Sequence, residues 1–229
     1  MPSWKKFICD DILMQYAFAN IKNITKFTGG GRFLTEFGLC ISDGNPNSIN
    51  TVECNAVLNA ADEHFESWTY WDSYERFPNF DITDVHLKSF SRTYPQSTAG
   101  KPIRLNFNVE TGWFYYSFIS SKYDSCISSN TSLLITEVFV PMSTHYPHGI
   151  NVNFKPNQLY YKIYRNNTNL MLVYAPCTLI HNRNLQIEIR ITPNQTIDKR
   201  NFGNILTCSM FILTFPIIKY VIFYRFDFQ

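Results

Sequence analysis

Glu36 closes a short apolar run, Phe33-Leu34-Thr35-Glu36-Phe37-Gly38, which follows a glycine stretch and ends on a glycine. Such a run reads as a buried strand ending at its acid, with Gly38 turning the chain away. A carboxylate at the C-terminal tip of a parallel strand points into the mouth of an α/β barrel, where that architecture keeps its chemistry. There it can serve as a nucleophile or as a base. A second stretch of the same kind, Ser67-Trp68-Thr69-Tyr70-Trp71-Asp72-Ser73, follows later. An indole face stacks on the apolar face of a pyranose and keeps water from it. Glu36 and Trp71, with Trp68 and Asp72 beside it, therefore read as parts of one sugar-binding site. A surface or helix-capping carboxylate and two core indoles are the plainer alternatives, and residue type alone does not separate them.

The elements that must hold these residues are legible as periods. Ile8, Ile12, Leu13, Tyr16, Ala17, Phe18 and Ile21 recur near helical spacing, which predicts a helix over residues 4–27. The glycines at 29–31 stop it; no Gly-Lys-Ser/Thr follows, so this is no phosphate loop. After the strand at Phe33 to Phe37 comes a polar loop, Ser42 to Ser48, then a helix over 51–65 that Thr51 can cap. Phe65 to Trp71 is the next strand, so strand, helix and strand make one unit of a parallel α/β fold. Beyond about Ser73 the helical period disappears. Ile103, Leu105, Phe107 and Val109 alternate with polar residues. Further short runs follow at Phe114–Ile119, Leu133–Val140, Ile150–Phe154, Leu159–Tyr164, Leu170–Tyr174 and Leu185–Ile191. Seven short strands at this spacing predict an antiparallel β-sandwich. The chain thus divides into a barrel-like part over 1–77, a connector over 78–87, a sandwich over 88–200 and an apolar tail over 201–229. Ile205 to Phe223 is long enough to span a bilayer at about 20 residues per crossing, although Pro216 and Lys219 weaken that reading.

Composition narrows the function classes. Lys+Arg total 20 against Asp+Glu 18, a net charge of +2, which offers no electrostatic ground for nucleic acid as a partner. Aromatic residues at 17% and charged residues at 17% suit β-rich structure and carbohydrate-handling surfaces, and ordinary cores as well. The six cysteines, Cys9, Cys40, Cys54, Cys126, Cys177 and Cys208, form no CxxC pair and no zinc spacing with histidine. An even count permits disulfides, with Cys40 and Cys54 the best-placed local pair; six free buried thiols are the alternative. Asp10 and Asp11 interrupt the N-terminal apolar stretch, so no signal peptide is expected. Glycosylation sequons at Asn23, Asn130, Asn166 and Asn194 carry little weight in so Asn-rich a chain.

Leu34-Thr35-Glu36-Phe37-Gly38, then Cys54 and Asp62, then Ser67-Trp68-Thr69-Tyr70-Trp71-Asp72, resemble the end of the catalytic barrel of endoglycoceramidases, in glycoside hydrolase family 5. Arg92-Thr93-Tyr94-Pro95 through Ala99-Gly100-Lys101-Pro102 is similar to the start of the β-sandwich appended to that barrel. Thr136-Glu137-Val138-Phe139-Val140-Pro141, with His145-Tyr146-Pro147 and Gly149, resembles a later sandwich segment. The resemblance implies an α/β plus all-β fold, in which the C-terminal segment of a (β/α)8 barrel precedes an antiparallel β-sandwich. It implies that Glu36 is the nucleophile and that Trp71, more than Trp68, is the platform under the reacting sugar. The reaction so implied is retaining hydrolysis of the β-glycosidic bond of a glycosphingolipid, or of another β-glucoside such as a steryl glucoside, without metal or cofactor. A secreted or lysosomal setting and contact with a membrane surface go with that substrate. Glu137 sits in a similar local pattern, but its apolar run continues to Pro141, so it is expected to face outward in mid-strand. His145 and His148 read as turn packing, with metal binding the lesser alternative.

The departure from the family is large. An eight-stranded barrel takes about 250 residues, yet only 35 residues precede Glu36. The family's acid/base is a Glu preceded by Asn, and no Asn-Glu dipeptide occurs. Asp10, Asp11, Asp72 and Glu75 are acids without a supporting motif. A nucleophile without its acid partner forfeits a rate contribution of about 10²–10⁴. The expectation is a C-terminal portion of an endoglycoceramidase-like hydrolase that is inactive alone. A non-catalytic glycolipid- or membrane-binding sandwich and a protein anchored by residues 205–223 are the competing readings.

Overall fold

A computed structural model describes residues 4, 7–29, 32–38, 40–71, 85–123, 131–181 and 184–194, without the side chains of 9–11. Asp72, Glu75, Cys126 and the apolar tail lie outside these residues. Among the described residues no helix is long and apolar enough to cross a membrane.

A π-helical turn, Ile8–Met14, runs into α1, Gln15–Thr28, and Gly29 ends the helix at a positive φ of 72°. β1, Phe33–Phe37, and β2, Ser67–Tyr70, pair in parallel, with Leu34 opposite Trp68 and Phe37 opposite Tyr70. Helix α2, Ile49–His64, crosses between them, so the expected unit is present. Its start differs from expectation. Ser48, not Thr51, caps the helix, because the Ser48 hydroxyl accepts the Thr51 N–H at 3.1 Å. Thr51 instead donates its hydroxyl to Asp43, which also accepts from the Ser48 hydroxyl and the Asn45 N–H. These bonds hold the Asp43 carboxyl down at about 2. The Cys40–Cys54 disulfide ties the loop to α2; closing a loop of about 15 residues stabilises by roughly 3 kcal/mol.

The remainder is a sandwich of two four-stranded sheets. One contains β4 (Gly100–Asn108), β5 (Trp113–Ser120), β10 (Gln186–Pro193) and β7 (Ile150–Lys155), in the order β4-β5-β10-β7. The other contains β3 (Tyr94–Thr98), β6 (Ser132–Phe139), β9 (Asn167–Pro176) and β8 (Tyr160–Tyr164), in the order β3-β6-β9-β8. Every strand pair in the two sheets is antiparallel. Alternation builds the core: Phe114, Tyr116 and Phe118 of β5 pair with Ile191, Ile189 and Ile187 of β10, and all six are fully buried. Each such side chain contributes about 1.5–3 kcal/mol on burial. Eight strands are described rather than the seven expected. The added one is β3, whose Tyr-Pro-Gln-Ser-Thr lacks apolar alternation and carries a register irregularity at Pro95. Glu137 stands half-buried in the middle of β6, opposite Leu172.

Arg92 joins the two parts. Its Nε donates to the Asp62 carboxylate of α2 at 2.8 Å, and its Nη2 donates to Asn59 Oδ1 at 2.7 Å and to the Phe107 carbonyl at 3.3 Å. The guanidinium also lies 5.1 Å from the centre of the Phe107 ring. Burial pushes the Asp62 carboxyl above its ordinary value, and the guanidinium opposes that push. Removing one member leaves the other charged and dry, at a cost of about 3–5 kcal/mol. Arg92→Ala is therefore expected to lower the unfolding free energy by about that amount in urea titrations, whereas an apolar replacement of both Asp62 and Arg92 costs less.

Candidate functional site

In the β1–β2 pair, Leu34 and Trp68 turn toward the helices, where they pack with Phe18 of α1 and Ala60 and Ala61 of α2. Phe37, Trp68 and Tyr70 meet Phe90, a residue of the segment leading to the sandwich, with ring centres 4.6–6.4 Å apart. Phe33, Thr35, Glu36, Ser67, Thr69 and Trp71 are all exposed, Trp71 by 62%. Side chains alternate along a regular strand. Here the register shifts between Leu34 and Phe37, so Thr35 and Glu36 together stand opposite Thr69 as a bulge, and Trp71 follows the last residue of β2.

The tip of the pair is tightly tied. The Trp71 N–H donates to the Phe37 carbonyl at 2.8 Å, and the Tyr70 hydroxyl donates to the Cys40 carbonyl at 2.7 Å. A Cβ on Gly38 would fall 1.6 Å from the Trp71 carbonyl oxygen. The glycine therefore serves a close backbone approach, rather than only the turn inferred from its position. Gly38→Ala is expected to push the Trp71 backbone away and shift the tryptophan fluorescence of the folded protein, with the sandwich still intact by circular dichroism.

Of the residues singled out in the sequence, the structure brings Glu36 and Trp71 to one end of the pair, both exposed. Trp68 lies half-buried against the helices, and Asp72 is outside the described residues. Glu36 makes no hydrogen bond or ion pair among the described residues. An exposed carboxylate on an open strand is not preorganised for attack. Other described acids are engaged elsewhere: Asp43 accepts the Ser48 and Thr51 hydroxyls, Asp62 is locked to Arg92, Glu63 accepts from the Asn106 amide, and Glu66 stands 3.7 Å from Arg32. A cavity of about 610 Å³ opens between α2, β2 and the sandwich, lined among others by Asp62, Glu66, Trp68, Phe90 and Arg92. Neither Glu36 nor Trp71 lines it. The Asp62–Arg92 pairing escaped the sequence reading; its only trace is an acid inside an apolar helix face and an arginine at the head of a strand-rich region.

His145 is buried in a short helix, α3 (Met142–His145), with its ring edge-on to Phe107 at 5.1 Å. His148 is exposed in the following turn. Burial lowers the pKa of His145 to about 4, with Lys88 and Arg92 adding to the effect against backbone hydrogen bonds that raise it. The folded value lies below the ordinary 6.5, so folding favours neutral His145. Its contribution is complete above pH 6.5 and is lost as the pH falls toward 4, a change on the order of 3 kcal/mol. Urea titrations across that range are expected to show this decline, and His145→Asn is expected to flatten it.

Residues 92–190 match the glycoside hydrolase family 5 C-terminal domain. The chain is 33% identical over 146 residues to endoglycoceramidase I of Rhodococcus hoagii (strain 103S), a match that takes in 62% of this chain and 25% of that protein. The fold is similar to that of Cryptococcus neoformans sterylglucosidase 1, with a TM-score of 0.62 and 15% identity, over 82% of this chain and 33% of that one. Two further structures of the same enzyme give 0.60 and 0.58. The chain thus spans a quarter to a third of the length of these relatives.

Proposed function

We propose that this chain, an endoglycoceramidase-like polypeptide of glycoside hydrolase family 5 carrying that family's C-terminal domain, supplies the nucleophile of a retaining β-glycosidase acting on a glycolipid. The observation that carries the reading is nearness at the strand tips: Glu36 and Trp71 are both exposed at the same end of a parallel strand pair, where the Trp71 N–H bonds the Phe37 carbonyl. In this reading the Glu36 carboxylate attacks the anomeric carbon, and the bond to the lipid oxygen breaks as an acid protonates that oxygen. Water then cleaves the glycosyl ester with the same acid acting as base. Trp71 carries the sugar ring. The relationship to an endoglycoceramidase supports a glycosphingolipid or another β-glucoside as substrate.

The second carboxyl of such a site must stand about 5–5.5 Å from the first. The described acids Asp43, Asp62, Glu63 and Glu66 are engaged with other partners, which supports a reading in which the chain alone does not turn over substrate. A second reading, a non-catalytic glycolipid- or membrane-binding sandwich, draws on the outer face of β5. There Trp113 stacks on Tyr115 with ring centres 6.1 Å apart, and Arg104 and Arg190 flank Tyr115. Incubation with a fluorescent ganglioside and an aryl β-cellobioside is expected to give no product. Turnover that disappears in Glu36→Gln would refute inactivity. Binding to glycolipid vesicles that survives Glu36→Gln but is lost in Trp113→Ala would favour the second reading.

A further inference from the structure

We infer that the outer face of the β4-β5-β10-β7 sheet binds a sugar that carries a carboxylate, such as the terminal residue of a sialylated glycan. The guanidinium groups of Arg104 and Arg190 and the indole of Trp113 form the site. The inference rests on the reading of the sandwich as a glycolipid-binding module, and it names the class of headgroup.

Alternation builds the face. Phe114, Tyr116 and Phe118 turn into the core, so Trp113 and Tyr115 turn outward. Register lays one row across all four strands, with Asn106 opposite Tyr115, Tyr115 opposite Arg190, and Arg190 opposite Asn153. On the next row Arg104 and Glu188 flank Ser117, and Lys155 stands opposite Glu188. Trp113 stacks on Tyr115 at an interplanar angle of 8°. Trp113, Asn153 and both arginines are exposed.

Two guanidinium groups share one ring. The Cζ atoms of Arg104 and Arg190 lie 5.8 and 5.6 Å from the centre of Tyr115. A guanidinium held against a ring is placed before a ligand arrives, so less freedom is lost on binding. Each arginine spends part of its donor set within the sheet: Arg104 Nε donates to Asn106 Oδ1 at 2.6 Å, and Arg190 Nη2 donates to Glu188 Oε2 at 2.9 Å. Their other nitrogens make no hydrogen bond among the described residues. Glu188 is already shared with Lys155 at 3.5 Å. Glu63 of α2 reaches in to accept the Asn106 amide. The cations Arg104, Arg190 and Lys155 still outnumber these two acids, so the face suits an anion.

The mixture of groups narrows the occupant. A guanidinium fork pairs with a carboxylate through two parallel N–H bonds. An exposed indole beside it takes the apolar face of a pyranose. The Asn153 amide offers a donor and an acceptor for ring hydroxyls. A phosphate would use the forks and leave the indole idle. A neutral sugar would use the indole and leave the forks idle. An acidic sugar uses both.

The test titrates the full chain with 3′-sialyllactose, lactose and inorganic phosphate, read by calorimetry and tryptophan fluorescence. Sialyllactose is expected to bind about tenfold or more tighter than lactose, with a fluorescence change that is lost in Trp113→Phe. Arg104→Gln and Arg190→Gln, with unfolding midpoints in urea unchanged, each remove most of that preference and leave lactose binding as it was. Arg104→Lys and Arg190→Lys keep the charge but not the fork, and recover only part of it. Lys162→Gln, which removes a cation from beside Tyr174 on the other sheet, has no effect. Equal affinity for sialyllactose and lactose overturns the inference, as does an equal loss in Lys162→Gln. Phosphate that displaces sialyllactose at matched concentration overturns it too, making a bare anion the ligand. Binding to neutral glycolipid vesicles that needs Trp113 but ignores both arginines sustains the glycolipid-binding reading and overturns this inference. Sialyllactose binding without any vesicle binding sustains the site and removes a glycolipid as the carrier of the sugar.

Discussion

One buried ion pair holds the two halves of this fold together. Asp62 lies on α2, which belongs to the parallel unit, and Arg92 stands at the entrance to the sandwich. Each would be costly to bury alone, since a desolvated charge has lost its hydration. Together, with Asn59 Oδ1 and the Phe107 carbonyl accepting from Nη2 and the Ser89 carbonyl from Nη1, they are held in a single arrangement. The pair acts less as a source of net stability than as a registration device. It sets α2 against β4.

The consequences spread in both directions from that contact. On the sandwich side, β4 receives α2, while rows of Ile and aromatic side chains fill the interior. On the other side, α2 is buried almost all round, so its small residues, Ala56, Ala60 and Ala61, meet neighbours on opposite flanks. Among the described residues, the parallel pair packs against α1 and α2 through Leu34 and Trp68. A well-packed sandwich joined to a sheet packed by helices on one face is physically asymmetric.

The same asymmetry explains why the candidate site has the right residue types and so little support. A catalytic carboxylate works when its neighbours hold it, desolvate it and share its protons. Glu36 has water on the face where those neighbours would stand. The cavity beside Asp62 and Trp68 is better enclosed, yet the carboxylate is not in its wall.

Much of this was legible in residue order. Alternation marked the sandwich strands because one face of each is dry and the other wet, and the helix-strand rhythm around Glu36 marked the parallel unit for the same reason. Local chemistry misled where two groups competed: Thr51 and Ser48 can both cap α2, and only the position of Asp43 decides between them. The strand at Tyr94–Thr98 was invisible because its pairing with β6, not its composition, makes it a strand. By itself the sequence determined the periods, the disulfide partners nearest in the chain, and the placing of an acid and an indole at two strand ends. Only the tertiary structure decided that Trp68 packs against the helices while Trp71 is exposed, that Gly38 must yield room to a carbonyl, and that Asp62 finds Arg92. Those outcomes depend on contacts between residues far apart in the chain, and no local pattern encodes the distance between them.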